Sequence, residues 1–302
     1  MPSKEFLAFQ AAGGILPAHD FSLPETLGRY RDELSGLNTL PGGVLPEGTT
    51  VSSEPTGGVP CSRIHFQNAK PGKLIMQIHG GGFSGGTPCI QQGPTIELGR
   101  RIGVDILSVD YRLAPEHPYP AALEDTFAVY KALLGQGYDP ENIIFLGESA
   151  GGTLCLSTAL YARDQGVPVP GAIAAISPCG DASKSVQHRK QWCPEDTTIE
   201  ENDQVLSFYI GSSDPKTPYL SPCYADFSGM PPILFQYGNR EMLSEDGIEL
   251  VAKAVAANVD VEAHFHQDMS HVFYLMAGAF PEADEAVAEI VAFLTKHFGL
   301  EG

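Results

Sequence analysis

The feature that most constrains the fold is a series of short apolar runs spaced along the chain. They are SRIHFQ from Ser62, KLIMQIH from Lys73, VDILSVD from Val104, NIIFLG from Asn142, AIAAIS from Ala172, PILFQYG from Pro232 and VEAHFH from Val261. Several are nearly continuous in apolar residues, the pattern of strands covered on both faces, as in a parallel sheet. Parallel neighbours need long crossovers, and helical patterns lie between the runs. LEDTFAVYKALLGQG puts Leu123, Phe127, Tyr130, Leu133 and Leu134 on one face, with Gly135 as a C-terminal stop. SAGGTLCLSTALYARDQG follows NIIFLG, and a last helix from about Ala283 carries Val287, Ile290, Val291, Leu294 and Phe298 at helical spacing. This alternation predicts an α/β fold with a doubly wound, mostly parallel sheet. A chain of 302 residues, 43% apolar, is long enough for one large domain of that kind.

Two stretches break the alternation. The first 45 residues hold two helical segments, EFLAFQAA and PETLGRYRDELSGL, with no strand between them. Between AIAAIS and PILFQYG lie KSVQHRKQW and IEENDQVLSFYIGSSD, two short helical patterns where one crossover helix would suffice. Both stretches read as an extra helical layer over one end of the sheet. The charge balance, 37 acidic against 18 basic residues and a net −19, sets the surface against nucleic acid and anionic membrane. No apolar stretch reaches the ~18 residues of a membrane span. MPSKEFLAFQAAGG lacks the basic start and apolar core of a secretion signal. The six cysteines form no C-x-x-C pair, which argues against zinc-ribbon and thioredoxin-like sites and leaves most of them as thiols in apolar packing. A cytoplasmic, soluble protein without stable membrane anchoring is the expectation.

Two motifs could carry chemistry. Gly147-Glu148-Ser149-Ala150-Gly151 is a G-x-S-x-G between a strand and a helix, the context in which a serine stands exposed on a strained turn. HGGGFSGG, His79 to Gly86, follows another strand and permits two readings. Gly80-x-Gly82-x-x-Gly85 has the spacing of a dinucleotide loop, whereas its first half is the kind of loop whose backbone N–H groups stabilise an oxyanion. The dinucleotide reading needs a helix that starts inside the glycine motif. Here Thr87-Pro88-Cys89-Ile90-Gln91-Gln92-Gly93-Pro94 follows, with two prolines and a glycine to delay any helix. A serine nucleophile needs a base and an orienting acid, in the order Ser, acid, His for a sheet of this topology. NREMLSEDG after the strand PILFQYG supplies Glu241, Glu245 and Asp246. Three histidines cluster near the next strand: His264 and His266 within it and His271 in the loop beyond it. Loops at strand C-terminal ends carry ligand and catalytic groups, so His271 is the best base and His266 the second. Too few ligands accompany these histidines for a metal site.

Together these motifs resemble the hormone-sensitive-lipase-like carboxylesterases of the α/β-hydrolase superfamily. His79-Gly80-Gly81-Gly82 resembles the family's oxyanion motif, Asp110-Tyr111-Arg112-Leu113-Ala114-Pro115-Glu116 its D-Y-R-L-A-P-E segment and Gly147 to Gly152 its nucleophile elbow. Tyr219-Leu220-Ser221-Pro222, before Gly229-Met230-Pro231-Pro232, is similar to the stretch leading to its acid-bearing strand. The resemblance implies an eight-stranded sheet, a core of residues 46–182 and 218–302, and a helical cap from residues 1–45 and 183–217. It also implies an oxyanion hole of Gly81, Gly82 and Ala150, with His79 positioning the loop and Phe83 onward shaping the pocket mouth.

The chain departs from the family pattern at two places. Glu241 stands where the triad acid is usually Asp, with Asp246 as the second choice, and Val272 follows His271 where the family usually has Gly. Glu148 stands where Asp is frequent in the elbow and is read as an organiser of nearby loops. Asp110 and Arg112 are read as an ion pair or turn brace. Trp192, Phe208 and Tyr209 either line an acyl pocket or pack the cap.

The implied function is hydrolysis of short- to medium-chain esters by Ser149, His271 and Glu241, with a small-molecule ester as partner and no metal or organic cofactor. An amidase or lactonase of the same fold uses the same chemistry. A non-catalytic receptor would lack the histidine that is present here. The family often forms homodimers.

Overall fold

The computed structural model describes residues 2–11, 19–23, 25–36, 44–88, 92–193, 196 and 199–301. Cys89 and parts of the two segments 1–45 and 183–217 therefore lie outside the described residues. The sheet has eight strands: β1 (Thr49–Ser53), β2 (Cys61–Phe66), β3 (Leu74–Ile78), β4 (Asp105–Val109), β5 (Ile143–Glu148), β6 (Ala172–Ile176), β7 (Ile233–Gly238) and β8 (Val261–His266). Their order is β1-β2-β4-β3-β5-β6-β7-β8. β2 is antiparallel to both its neighbours, β1 and β4, and all other pairs are parallel. Seven strands fall on the apolar runs. The eighth, β1, is the edge segment TTVSS, in which only Thr49 is buried, so it leaves no apolar signature.

The described helices are α1 (Lys4–Ala11), α2 (Thr26–Gly36), α3 (Gln92–Ile102), α4 (Ala121–Gly135), α5 (Ala150–Asp164), α6 (Val186–Trp192), α7 (Ile199–Ile210), α8 (Ser244–Ala256) and α9 (Pro281–His297). Side chains alternate between the two faces of each strand and both faces are covered, which is why the central strands are apolar at most positions. Leu74, Met76 and Ile78 of β3, with Ile143 and Phe145 of β5, join the layer of α4, α5 and α8. Ile75, Ile144 and Leu146 face the opposite layer, built on α3 and α9. The stop predicted at Gly135 is displaced: Gly135 is the last helical residue, and the left-handed turn is made by Gly137 at φ 93°. Helix α3 was not expected so early, but Gly93 and Pro94 fall in its first turn, where proline forfeits no hydrogen bond.

The N-terminal segment divides its contacts. Helix α1 packs beside the start of α9, with Phe6 edge-on to Phe280 at 5.1 Å and the Ser3 N–H donating to Glu282 Oε1 at 2.6 Å. Helix α2 packs on α7 instead, through Tyr30, Leu34 and Val205, with Phe21, Leu27 and Phe208 around them. The central strands end nearly in register, with Ile78 beside Gly147, Glu148 beside Ile176 and Gly238 beside His266. Their following loops therefore emerge at one edge of the sheet, the usual ligand edge of an open α/β fold. No helix of the described residues is long and apolar enough to cross a membrane.

Candidate active site

Ser149 sits between β5 and α5 at φ 53°, ψ −125°, a conformation that costs a side-chain-bearing residue about 1–3 kcal/mol. Packing on both sides holds it there. A Cβ on Gly147 would stand 2.5 Å from the Gly151 carbonyl oxygen, and one on Gly151 only 2.0 Å from that of Ile78. Only glycines let β5, α5 and β3 approach this closely. The Ser149 N–H donates to the Ile176 carbonyl at 2.8 Å, tying the elbow to the end of β6. As the first residue of α5, Ala150 has an N–H without an intrahelical acceptor.

The loop after β3 lies against this elbow: a Cβ on Gly80 would be 3.2 Å from Ser149 Cβ. Glu148 joins the two, because its buried carboxylate accepts from the Gly80 N–H and from the Tyr274 hydroxyl. Gly81 and Gly82 are left-handed, at φ 112° and 59°. Side chains there would meet the Gly85 carbonyl oxygen at 2.3 Å and Val205 Cγ1 at 2.2 Å. His79 is fully buried, stacked on Tyr111 at 4.2 Å, and donates from Nδ1 to the Gly80 carbonyl at 2.8 Å. Burial pushes its pKa down to about 4, so the ring is neutral and holds the loop without charge.

The loop then folds on itself, with the Gly81 carbonyl accepting from the N–H groups of Ser84 and Gly85. Gly85 packs under Tyr30 and Leu34 of α2 rather than on a strand, and the next helix starts only at Gln92. Among the described residues the dinucleotide geometry is absent. Phe83 was expected at the pocket mouth; it is instead buried, stacked on Tyr209 at 3.8 Å. Its left-handed backbone, φ 60°, turns the ring inward. Gly86 and Thr87 line an open pocket of about 360 Å³ with Arg31, Ser35, Leu113, Glu116 and His117.

The loops after β7 and β8 are joined by backbone bonds, Asn239 N–H to the His266 carbonyl and Arg240 N–H to that of Met269, each 3.0 Å. This brings Glu241 and His271 together. Glu241 is fully buried, its Oε2 accepting from His271 Nδ1 and its Oε1 from Ser177 Oγ at 2.9 Å. Burial works against a charged His271 ring. The Glu241 carboxylate, with Asp196 and Glu148 nearby, outweighs burial and holds the pKa above its ordinary value.

The other candidates go elsewhere. Asp246 accepts from the N–H groups of Gly180 and Asp181 and pairs with Lys184 at 2.9 Å and Arg189 at 3.4 Å. Glu245 pairs with His188 at 2.7 Å. Both lie in the first turn of α8, where the helix dipole favours acidic charge, and each also holds a partner from residues 183–217. His264 and His266 share Glu289 of α9, at 3.3 and 2.8 Å.

A family model described as the alpha/beta hydrolase fold matches residues 75–275, from β3 through His271. An esterase from the bacterial hormone-sensitive lipase family superposes with a TM-score of 0.86 at 32% identity, covering 99% of this chain and 99% of its own. The chain belongs to the hormone-sensitive-lipase-like family of α/β-hydrolases. An esterase of Acinetobacter venetianus is 34% identical over 257 residues, 83% of this chain and 84% of its own. The solved esterase EstE5, soaked with p-nitrophenyl butyrate, has a TM-score of 0.87 at 30% identity and covers 98% of this chain and 99% of its own. The chemistry of this α/β-hydrolase is carboxylic ester hydrolysis.

Around the site of this hydrolase, several residues prove structural. Arg112 braces its turn by pairing with Asp125 and Glu124 rather than with Asp110. Tyr209 and Phe208 pack, the first on Phe83 and the second edge-on to Phe21. Trp192 is 47% exposed and donates from Nε1 to Ser244 Oγ. Sequence reasoning missed Ser177, whose φ of 46° aims its hydroxyl at Glu241. Its one signal was its place directly after a buried strand, at the sheet edge where functional loops emerge.

Proposed function

We propose that this hydrolase is a serine carboxylesterase for short- to medium-chain acyl esters. Ser149 is the nucleophile, His271 the general base and acid, and Glu241 the orienting carboxylate. The N–H groups of Gly81, Gly82 and Ala150 form the oxyanion hole. The contact of His271 Nδ1 with buried Glu241 carries the reading. A ring whose Nδ1–H is committed to a carboxylate has a bare Nε2, the proton acceptor a serine needs. The strained Ser149 backbone and the glycine loop against the elbow support it.

His271 takes the Ser149 proton as the oxygen attacks the ester carbonyl, and the loop donors receive the charge that develops there. His271 then passes the proton to the leaving alcohol, and a water activated by the same ring releases the acid. No step calls for a metal or an organic cofactor. We read residues 1–45 and 183–217 as a helical cap on a core of 46–182 and 218–302, with α2 and α7 over the site. Val205 of α7 against Gly82, and Tyr30 and Leu34 of α2 against Gly85, leave little room beside the proposed oxyanion hole, which favours short acyl chains. The similarity to an acetyl-hydrolase of Streptomyces hygroscopicus, 34% identical over 226 residues, 74% of this chain and 75% of its own, points the same way.

The test is a p-nitrophenyl ester series from acetate upward, run on wild type, Ser149→Ala and Glu241→Gln. Turnover should peak among the short chains. Each variant should lose roughly a thousand-fold or more in kcat. Full hydrolysis by Ser149→Ala would refute the assignment.

A further inference from the structure

Helix α6 and Asp196, in the insertion of residues 183–217 between β6 and β7, hold the loop that carries Glu241. Strand β7 ends at Gly238, and beyond the backbone bonds of Asn239 and Arg240 the Glu241–Met242 peptide has no strand partner. The Ser244 N–H, 3.2 Å from the Glu241 carbonyl, and a set of side chains hold it. The Glu241 carbonyl accepts from Ser244 Oγ at 2.8 Å, and that hydroxyl in turn accepts from Trp192 Nε1 at 2.8 Å. The Met242 N–H donates to Asp196 Oδ2 at 2.7 Å. The peptide N–H is thus tied directly to Asp196, and its carbonyl to Trp192 of α6 through the Ser244 hydroxyl. The next carbonyl, that of Met242, accepts from Arg189 Nη1 at 3.3 Å. Arg189 is fully buried and also donates to the Asp181 carbonyl at 2.8 Å, which anchors α6 to the loop after β6.

We propose that Trp192 and Asp196 are positioning residues for Glu241: the insertion clamps the Glu241–Met242 peptide and so sets where the carboxylate meets His271. The proposal rests on Glu241 being the triad acid. A peptide held at both its N–H and its carbonyl cannot rotate, and its orientation fixes the direction in which the Glu241 side chain leaves the backbone. Glutamate has one more rotatable bond than the family's usual aspartate, so a fixed backbone matters more here. The insertion is divided in function: α6 and Asp196 mount the acid, while α7 faces the glycine loop through Val205.

The experiment compares Asp196→Ala, Asp196→Asn and Trp192→Phe, each alone and combined with Glu241→Gln, with p-nitrophenyl butyrate as substrate. Asp196→Ala removes the acceptor for the Met242 N–H, whereas Asp196→Asn keeps an oxygen there. Asp196→Ala should lower kcat about ten-fold or more and Trp192→Phe about three-fold, with KM within about two-fold, because small misplacements of a catalytic group act on the chemical step. Asp196→Asn should recover most of the loss. On the Glu241→Gln background neither change should lower kcat further, since both act through that carboxylate. Wild-type kcat in folded Asp196→Ala and Trp192→Phe, with Glu241→Gln inactive, overturns the clamp and leaves the triad standing. Losses that multiply in full on Glu241→Gln, or an Asp196→Asn as poor as Asp196→Ala, overturn it too. Wild-type kcat in Glu241→Gln overturns the triad acid and the clamp with it. Trp192→Phe carries the test alone if Asp196→Ala does not fold, because it removes one N–H from a half-exposed ring and keeps an aromatic side chain.

Discussion

Ser177 holds the Glu241 oxygen that His271 leaves over, across 64 residues of chain. Replacing it by alanine leaves a buried carboxylate oxygen short of a donor, which costs about 1–3 kcal/mol. Ser177→Ala is therefore expected to lower the denaturation midpoint and to reduce kcat several-fold, read by urea unfolding and steady-state kinetics. In the proposed mechanism His271 governs the pH response. Only the neutral ring can accept the Ser149 proton, and its pKa is held above the ordinary 6.5. As pH falls through that raised value, kcat/KM should fall. His79 stays neutral across the same range, its pKa pushed down by burial. Glu241→Gln removes the main charge that raises the His271 pKa, so residual activity in that variant should persist to lower pH than in wild type.

The elbow shows how closely α5 approaches the sheet. A Cβ at Gly151 would have to displace the backbone of β3, since the Ile78 carbonyl stands 2.0 Å away and is no flexible side chain. Overpacking of this kind costs about 1–3 kcal/mol, and a backbone obstacle puts it at the upper end. Gly151→Ala is expected to lose about 3 kcal/mol in urea unfolding, and an unchanged midpoint would show that α5 can slide. Elements were legible where burial imposes a pattern. Strands β3, β5, β6 and β7 are buried throughout, and their runs stand out in the sequence. Edge strand β1 buries almost nothing, and α3 opens with Gly93 and Pro94, so neither had a periodic signal to find.

For the molecule as a whole, α2 is fastened over the glycine loop through Tyr30 and Leu34 at Gly85. Arg31 donates from Nε to the Ser84 carbonyl at 2.7 Å and from Nη2 to that of Ala114 at 3.0 Å, and pairs with Glu116 at 2.6 Å. Its hydrogen bonds draw the Glu116 carboxyl pKa down to about 2. An exposed ion pair alone is worth about 1 kcal/mol at most, so the carbonyl contacts to the glycine loop and its neighbouring turn are the stronger argument. Arg31→Met should loosen α2 above Gly85. The expected result is a several-fold smaller preference for butyrate over decanoate in kcat/KM. An unchanged ratio would detach α2 from chain-length selection.

The sequence by itself determined the doubly wound sheet and the strained serine elbow, because both follow from short-range causes. Continuous apolar runs demand cover on two faces, and Gly147, Ser149 and Gly151 hold the steric conditions of the elbow within five residues. The acid is read as Glu241, with Asp246 second, among three carboxylates within six residues. Tertiary structure gives each of the three different partners. Glu241 meets His271 and Ser177, Glu245 meets His188, and Asp246 meets Lys184 and Arg189. A carboxylate's role depends on which donors surround it and how much water is excluded, and packing draws those donors from distant parts of the chain.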